Sequence, residues 1–276
     1  MAAHLRLILV VIIVLAVTAV LAPIQLLAWR MHSPTSRYLP LLWHRITLKL
    51  VGTRVHVAGR IPRERPLLIV SNHVSWSDIL ILGSVMELCF IAKAEVRTWP
   101  GISVLARLQR TVFVDRERRR DSANQANTIA KRLLEGDAMV LFAEGTTGDG
   151  NRVGSFKSAL FGAAQAALTD SHLERVTIQP VALAYTRLFG MPLGRFHQTR
   201  ASWPGDMALG PHLKRFLLDG AYDVEVVFGQ PMEFTSESSR KEVAQRTQMA
   251  VRKSFALAMR MREVESEPVQ TTSITG

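Results

Sequence analysis

The segment Ser71-Asn72-His73-Val74-Ser75-Trp76-Ser77-Asp78 sets an imidazole and a carboxylate five residues apart. An Asp on one ring nitrogen fixes the tautomer and leaves the other nitrogen to accept a proton, the arrangement of a general base. On one continuous helix the two side chains would point about 140° apart. They meet only if His73 lies in a turn and Asp78 in the first turn of the next helix, which Ser75 and Ser77 suit as caps. The same residues also read as a capping His and an Asp that favours the helix dipole. The spacing alone leaves both readings open.

A second block, Phe142-Ala143-Glu144-Gly145-Thr146-Thr147-Gly148-Asp149-Gly150, follows the apolar run 138–142. Its glycines let backbone approach a ligand and turn N–H groups toward an oxyanion. No Gly-Lys-Ser/Thr follows, so it is not a phosphate loop of the Walker type. A hairpin-like loop is its plain structural reading. A third block ends the run 111–114 with Asp115-Arg116; the basic residues after it, Arg118 to Arg120, read as a solvated helix start. Pro180, inside an apolar run, lacks a ladder N–H and marks a sheet edge or bulge.

Apolar, β-rich runs at 54–58, 67–71, 89–92, 111–114, 138–142, 177–185 and 223–228 must position these blocks. Several are continuously apolar, as central strands covered on both faces are. Helical patterns at 78–85, 119–134, 156–168 and 237–261 lie between or after them. Such alternation predicts an α/β fold: a mixed, largely parallel sheet flanked by helices. His73, Glu144 and Arg116 each follow the carboxyl end of a strand, where α/β sheets bind ligands.

The N-terminus differs. Residues 7–29 run 23 positions without a charge, between Arg6 and Arg30, with Trp29 near the end. About 20 such residues cross a bilayer core. A secretory signal is the rival, but Pro23 after Ala22 opposes cleavage. Pro23 also predicts that the last turns bend away. Glu64 is the first acid, and the segment before it carries only basic charges, among them Arg6, Arg30, Arg37, Arg45 and Lys49. Residues 38–51 form a basic amphipathic helix, suited to anionic headgroups or to packing on the domain. More basic residues follow the apolar run than precede it, which predicts that the domain lies on the cytoplasmic side of the membrane. The expected organisation is an anchor at 1–30, an interfacial segment at 31–52, a catalytic domain at 53–262 and a disordered tail at 263–276.

Composition narrows the classes. Lys+Arg 34 against Asp+Glu 23 gives a formal net charge of +11, much of it beside the apolar segment, and no nucleic-acid motif accompanies it. One cysteine, Cys89, excludes disulfide frameworks and Cys-rich metal sites. His172, His197 and His212 are scattered without ligand spacing, so no metal is expected.

Together these blocks resemble the glycerolipid (lysophosphatidate-type) acyltransferases. The family's Asn-His-x4-Asp matches Asn72, His73 and Asp78; its Phe-Pro-Glu-Gly-Thr-Arg matches Phe142 to Thr147. Its Asp-Arg strand end matches Asp115-Arg116, and its apolar strand with one Pro matches Ile178 to Val181. The resemblance covers residues 50–234. It implies transfer of a fatty acyl group from an acyl carrier protein or coenzyme A thioester to a lysolipid hydroxyl. His73 and Asp78 would be catalytic. Arg116, Glu144, Gly145, Thr146, Thr147, Asp149 and Lys157 would bind substrate. The thioester is a co-substrate; no cofactor or metal is implied, and an anionic membrane surface is the expected partner.

Two departures bear on the acceptor. Ala143 replaces the family's Pro, and Thr147 replaces the Arg expected to grip an acceptor phosphate. The loop through Asn151-Arg152 and Phe156-Lys157, and the stretch Lys93 to Pro100, resemble a bacterial branch that acylates lyso-ornithine lipid, with Asp149 meeting the ornithine ammonium. The alternatives are a 1-acyl-sn-glycerol-3-phosphate acyltransferase, with Arg116, Arg152 or Lys157 on the phosphate, and a non-catalytic lipid-binding protein of the same fold.

Overall fold

A computed structural model describes residues 2–114, 122–170, 174–205 and 207–264. Arg116 and residues 265–276 lie outside the described residues.

The sheet takes seven strands in a row and two that join its middle. In chain order they are β1 (Arg54–Ala58), β2 (Leu67–Ser71), β3 (Cys89–Lys93), β4 (Val112–Val114), β5 (Ala138–Phe142), β6 (Arg175–Leu188), β7 (Met191–Pro192), β8 (Tyr222–Phe228) and β9 (Met232–Thr235). The row runs β1-β8-β6-β2-β5-β3-β4, with β7 and β9 also on β6. All pairs are parallel except those of β6 with β7, β8 and β9. The mixed, largely parallel sheet matches the expectation.

The helices are α1 (Ala2–Arg30), α2 (Thr35–Val51), α3 (Asp78–Val85), α4 (Ile102–Leu108), α5 (Ser122–Leu134), α6 (Gly162–Asp170), α7 (Leu209–Asp219) and α8 (Arg240–Val264). The apolar runs of β2 and β5 are buried on both faces. Leu68, Val70, Met139 and Leu141 meet residues such as Leu133 of α5, Ala164 of α6 and Phe255 of α8. Leu67, Ile69, Val140 and Phe142 meet Leu48 of α2, Ile81 of α3 and Phe216 of α7. Each fully buried aliphatic side chain contributes on the order of 1.5–3 kcal/mol.

Pro180 lies in the central strand β6, not at an edge. Its carbonyl accepts from Gly229 N–H at 2.9 Å. On that side β8 has ended at Phe228 and β9 starts only at Met232. N–H and C=O of one strand residue point the same way, so the missing donor faces the gap between partner strands.

Pro23 does not divert α1, which stays helical to Arg30. The turn after the proline is held by Gln25, whose Nε2 donates to the carbonyls of Ser36 (2.9 Å) and Leu108 (2.8 Å). Trp43 Nε1 of α2 donates to Thr18 Oγ1 at 2.8 Å, and Arg6 reaches the Val51 carbonyl. α1 is therefore bonded to the domain near its start, middle and end. Its other faces leave Leu5, Ile8, Ile12 and Leu15 exposed. Among the described residues α1 is the one helix long and apolar enough to cross a membrane, with a mean hydropathy of 3.2 in its most apolar stretch. α2 packs on α1 and α3, with Leu41, His44, Leu48 and Val51 buried.

Candidate active site

β2 pairs with β5 and β6 so that Ser71 sits level with Phe142 and Val181. The turns that follow β2 and β5 therefore emerge side by side. Asn72 fixes the first: its Nδ2 donates to the Leu183 carbonyl at 2.9 Å, and its Oδ1 accepts Leu183 N–H at 2.8 Å. A side-chain amide thus extends the β2–β6 ladder by one link and holds His73 just beyond it.

His73 and Asp78 meet as the sequence requires, one in the turn and one at the first residue of α3. His73 Nδ1 lies 2.8 Å from Asp78 Oδ2. That oxygen also accepts the N–H groups of Val74 (2.6 Å) and Ser75 (3.0 Å). The carboxylate accepts only, so Nδ1 carries the ring proton and Nε2 is the acceptor. The imidazole stacks on Phe142, with ring centroids 3.8 Å apart. Asp78 is fully buried, whereas the His73 side chain keeps 18% exposure.

Asp78's second oxygen has a partner that no motif announced. Tyr185 Oη, in β6, donates to Asp78 Oδ1 at 2.8 Å and accepts from Ser77 Oγ at 2.6 Å. Ser77 thus serves the tyrosine and makes no side-chain cap bond to α3. Burial and the nearby Asp78 charge push the Tyr185 hydroxyl well above its ordinary value, so it remains a donor. Nothing in the sequence singles out Tyr185, since its strand also carries Thr177, Gln179 and Thr186.

Glu144 turns inward. Its Oε1 accepts His73 N–H and its Oε2 accepts Gly154 N–H, both at 3.1 Å. A Cβ on residue 154 would stand 2.5 Å from Oε2, so any larger residue there must shift the Glu144 carboxylate. Burial raises the Glu144 carboxyl above its usual range, against the two amides and His73. Gly148 N–H closes the contact between the turns by donating to the His73 carbonyl at 2.8 Å.

His73 faces a cavity of about 740 Å³, with Asp78 behind it. His73, Phe142, Gly145, Thr146 and Thr147 line one side, with Lys93, Glu95 and Trp99 of the stretch after β3. α1 supplies another part of the wall from Val10 to Gln25, and α2, packed on α1, adds Leu39, Trp43 and Thr47. Trp99 and Trp203, both on the wall, meet edge to face with centroids 6.1 Å apart. His44 is a buried wall residue whose Nε2 donates to Gln109 Oε1 at 2.8 Å; desolvation lowers it to about 4, against that bond.

The structure thus brings His73, Gly145, Thr146 and Thr147 to one cavity, with Asp78 and Glu144 behind them. Asp149 and Lys157 are exposed and do not line it. Asp149 Oδ1 accepts Asn151 N–H at 3.0 Å, and Lys157 N–H donates to the Ala143 carbonyl at 2.9 Å. Among the described residues no three His, Cys, Asp or Glu side chains converge as metal ligands.

A buried Asp–His pair lies at the strand ends of a mixed sheet, with His73 open to an apolar cavity, and the chain belongs to the acyltransferase family, whose model matches residues 52–184. Within it, the chain is 49% identical over 259 residues to a lyso-ornithine lipid O-acyltransferase of Brucella abortus, covering 94% of this chain and 97% of that protein. It is 44% identical over 260 residues to the protein of that name from Rhizobium meliloti, covering 93% and 89%. In fold it is similar to the crystal structure of a 1-acyl-sn-glycerophosphate acyltransferase from Thermotoga maritima, at a TM-score of 0.63 and 20% identity over 96% of this chain and 99% of that one.

Proposed function

We propose that this acyltransferase moves a fatty acyl group from an acyl carrier protein or coenzyme A thioester to the hydroxyl of lyso-ornithine lipid. The observation that carries the chemistry is His73 on the cavity wall, held from behind by the buried Asp78. His73 Nε2 takes the proton of the acceptor hydroxyl as its oxygen attacks the thioester carbonyl. Asp78 holds the tautomer and stabilises the imidazolium. As the tetrahedral intermediate collapses, the carbon–sulfur bond breaks and the imidazolium returns its proton to the thiolate. The amides of Val74, Ser75, Gly145 and Gly148 are already bonded within the protein. Those of Thr146 and Thr147, on the cavity wall, are left for the oxyanion. The tilt toward the aminolipid acceptor rests on Thr147, which cannot grip a phosphate as a guanidinium does, and on the names of the near-full-length relatives.

The apolar cavity walled by α1 supports a membrane-bound enzyme whose lipid substrates enter from the bilayer. The basic residues that follow α1 support a cytoplasmic-side domain on an anionic surface. The intact pair argues against a non-catalytic lipid-binding protein.

The test is acyl transfer by detergent-extracted wild type beside His73→Ala. Acyl carrier protein and coenzyme A donors are each offered with lyso-ornithine lipid and with lysophosphatidate. Transfer to the aminolipid alone, lost in the variant, is the expected result. Transfer to lysophosphatidate alone would overturn the acceptor, and activity surviving in His73→Ala would overturn the catalytic assignment.

A further inference from the structure

β6 runs past the level of the site and turns back through Phe189-Gly190 into β7. Both turn residues have positive φ, 54° for Phe189 and 78° for Gly190. This is the hairpin geometry that normally selects Asn or Asp before Gly. A phenylalanine there is strained, and it is not held by burial, since Phe189 is 57% exposed. Met191 beside it is 67% exposed, and Phe196, in the turn that follows β7, is 88% exposed. Three large apolar side chains thus stand in the open on one hydrogen-bonded projection.

The projection borders the apolar flank of α1. Phe189 N–H donates to the Ala221 carbonyl at 3.0 Å. The adjacent Gly220 packs under the Arg6 guanidinium, at the start of α1. From there the exposed Leu5, Ile8 and Ile12 continue the surface along the helix. The chain from Arg187 to Arg215 contains five Lys or Arg residues against the single acid Asp206. Beyond it Asp219 pairs with Arg200 at 3.1 Å, and the stretch stays net basic; apolar tips on a net-basic stretch of chain suit the boundary between anionic headgroups and acyl chains.

We propose that Phe189, Met191 and Phe196 form a second membrane-docking element, entering the surface of an anionic bilayer beside α1. Membrane contact then spans the domain from the α1 flank to the hairpin tip, so the bilayer fixes its tilt as well as its position. The inference does not depend on which acceptor is acylated.

The test uses the full chain in phosphatidylcholine–phosphatidylglycerol vesicles carrying lipids with a spin label near the headgroup. Cys89, the chain's one cysteine, is buried, so an added cysteine at 189, 191 or 196 takes an environment-sensitive fluorophore selectively. The expected result is a blue shift and quenching as strong as for a probe at Ile12 of α1. A probe at the exposed Lys253 of α8, on the opposite face of the sheet, should remain unquenched. Emission at all three positions matching the Lys253 probe would overturn the proposal. So would a blue shift that needs no vesicles and grows with protein concentration, which would mark contact with a second copy. Phe189→Asn separates docking from folding, because Asn tolerates the left-handed turn. It should keep or raise the unfolding midpoint while weakening quenching at 191 and 196; quenching unchanged in this variant would overturn the role of Phe189.

Discussion

Tyr185 donates its hydroxyl to Asp78 Oδ1 across 107 residues of sequence, so strand β6 completes the acceptor side of a pair that the β2–α3 turn begins. Asp78 then holds four donors at once: His73, Val74, Ser75 and Tyr185. In Tyr185→Phe we expect kcat to fall about tenfold, equivalent to roughly 1.4 kcal/mol in the barrier, with KM unchanged. Losing a donor leaves more negative charge facing the imidazole, so the acid limb of the pH–rate profile moves to higher pH. A packing defect alone would lower the amount of active enzyme and leave that limb in place.

Asp78→Asn keeps the shape of the carboxylate and loses its charge. The amide offers a donor where His73 now donates, which favours the wrong ring tautomer. The expected loss in kcat is about 10³–10⁴-fold, measured by single-turnover transfer with the thioester donor.

Gly154→Ala tests the brace behind His73. A methyl 2.5 Å from Glu144 Oε2 must displace the carboxylate that also holds His73 N–H. We expect kcat to fall by about tenfold, in the range of supporting interactions around reactive groups. Glu144→Gln should act in the same direction, because one of its two contacts becomes donor against donor.

Thr147→Arg restores a guanidinium at the cavity wall. For a lysophosphatidate acceptor kcat/KM should rise about tenfold through a charge-assisted contact. For lyso-ornithine lipid it should fall, through repulsion of the ammonium. Equal changes for both acceptors would separate this residue from acceptor choice.

His44 gives the pH dependence. Burial lowers its folded value from 6.5 to about 4. The folded protein therefore favours the neutral ring, and the unfolded chain takes up the proton first as pH falls. Stability is held above pH 6.5 and lost as pH drops toward 4, by on the order of 3 kcal/mol across that window. Urea midpoints in detergent should show this loss for wild type and much less for His44→Gln.

Sequence made the frame of this site legible because strand ends in an α/β sheet collect ligand-binding turns. His73, Asp78 and the Gly145 loop could thus be placed before any coordinates. Uncharged and continuously apolar runs also gave the N-terminal apolar helix and all the long strands. Missed were β7, β9 and α4, which are short, and α7, whose first turn carries Gly210 and Pro211. Pro180 misled because an edge and a gap between two partner strands both excuse a missing N–H. Tyr185 was invisible, since its partner depends on the register of β6 against β2. The inward turn of Glu144 was hidden too, because motif order cannot distinguish a carboxylate that meets substrate from one that holds backbone.

α1 walls the cavity from Val10 to Gln25 while bonding to the domain at Arg6, Thr18 and Gln25. The anchor is therefore not an interchangeable tether. Trimming the chain at residue 31 for solubility would open the reaction chamber along one side, and grafting on a generic apolar helix would bring the enzyme to the bilayer with its chamber unsealed. The one helix apolar enough for a membrane among the described residues and one wall of the cavity are thus the same stretch of polypeptide.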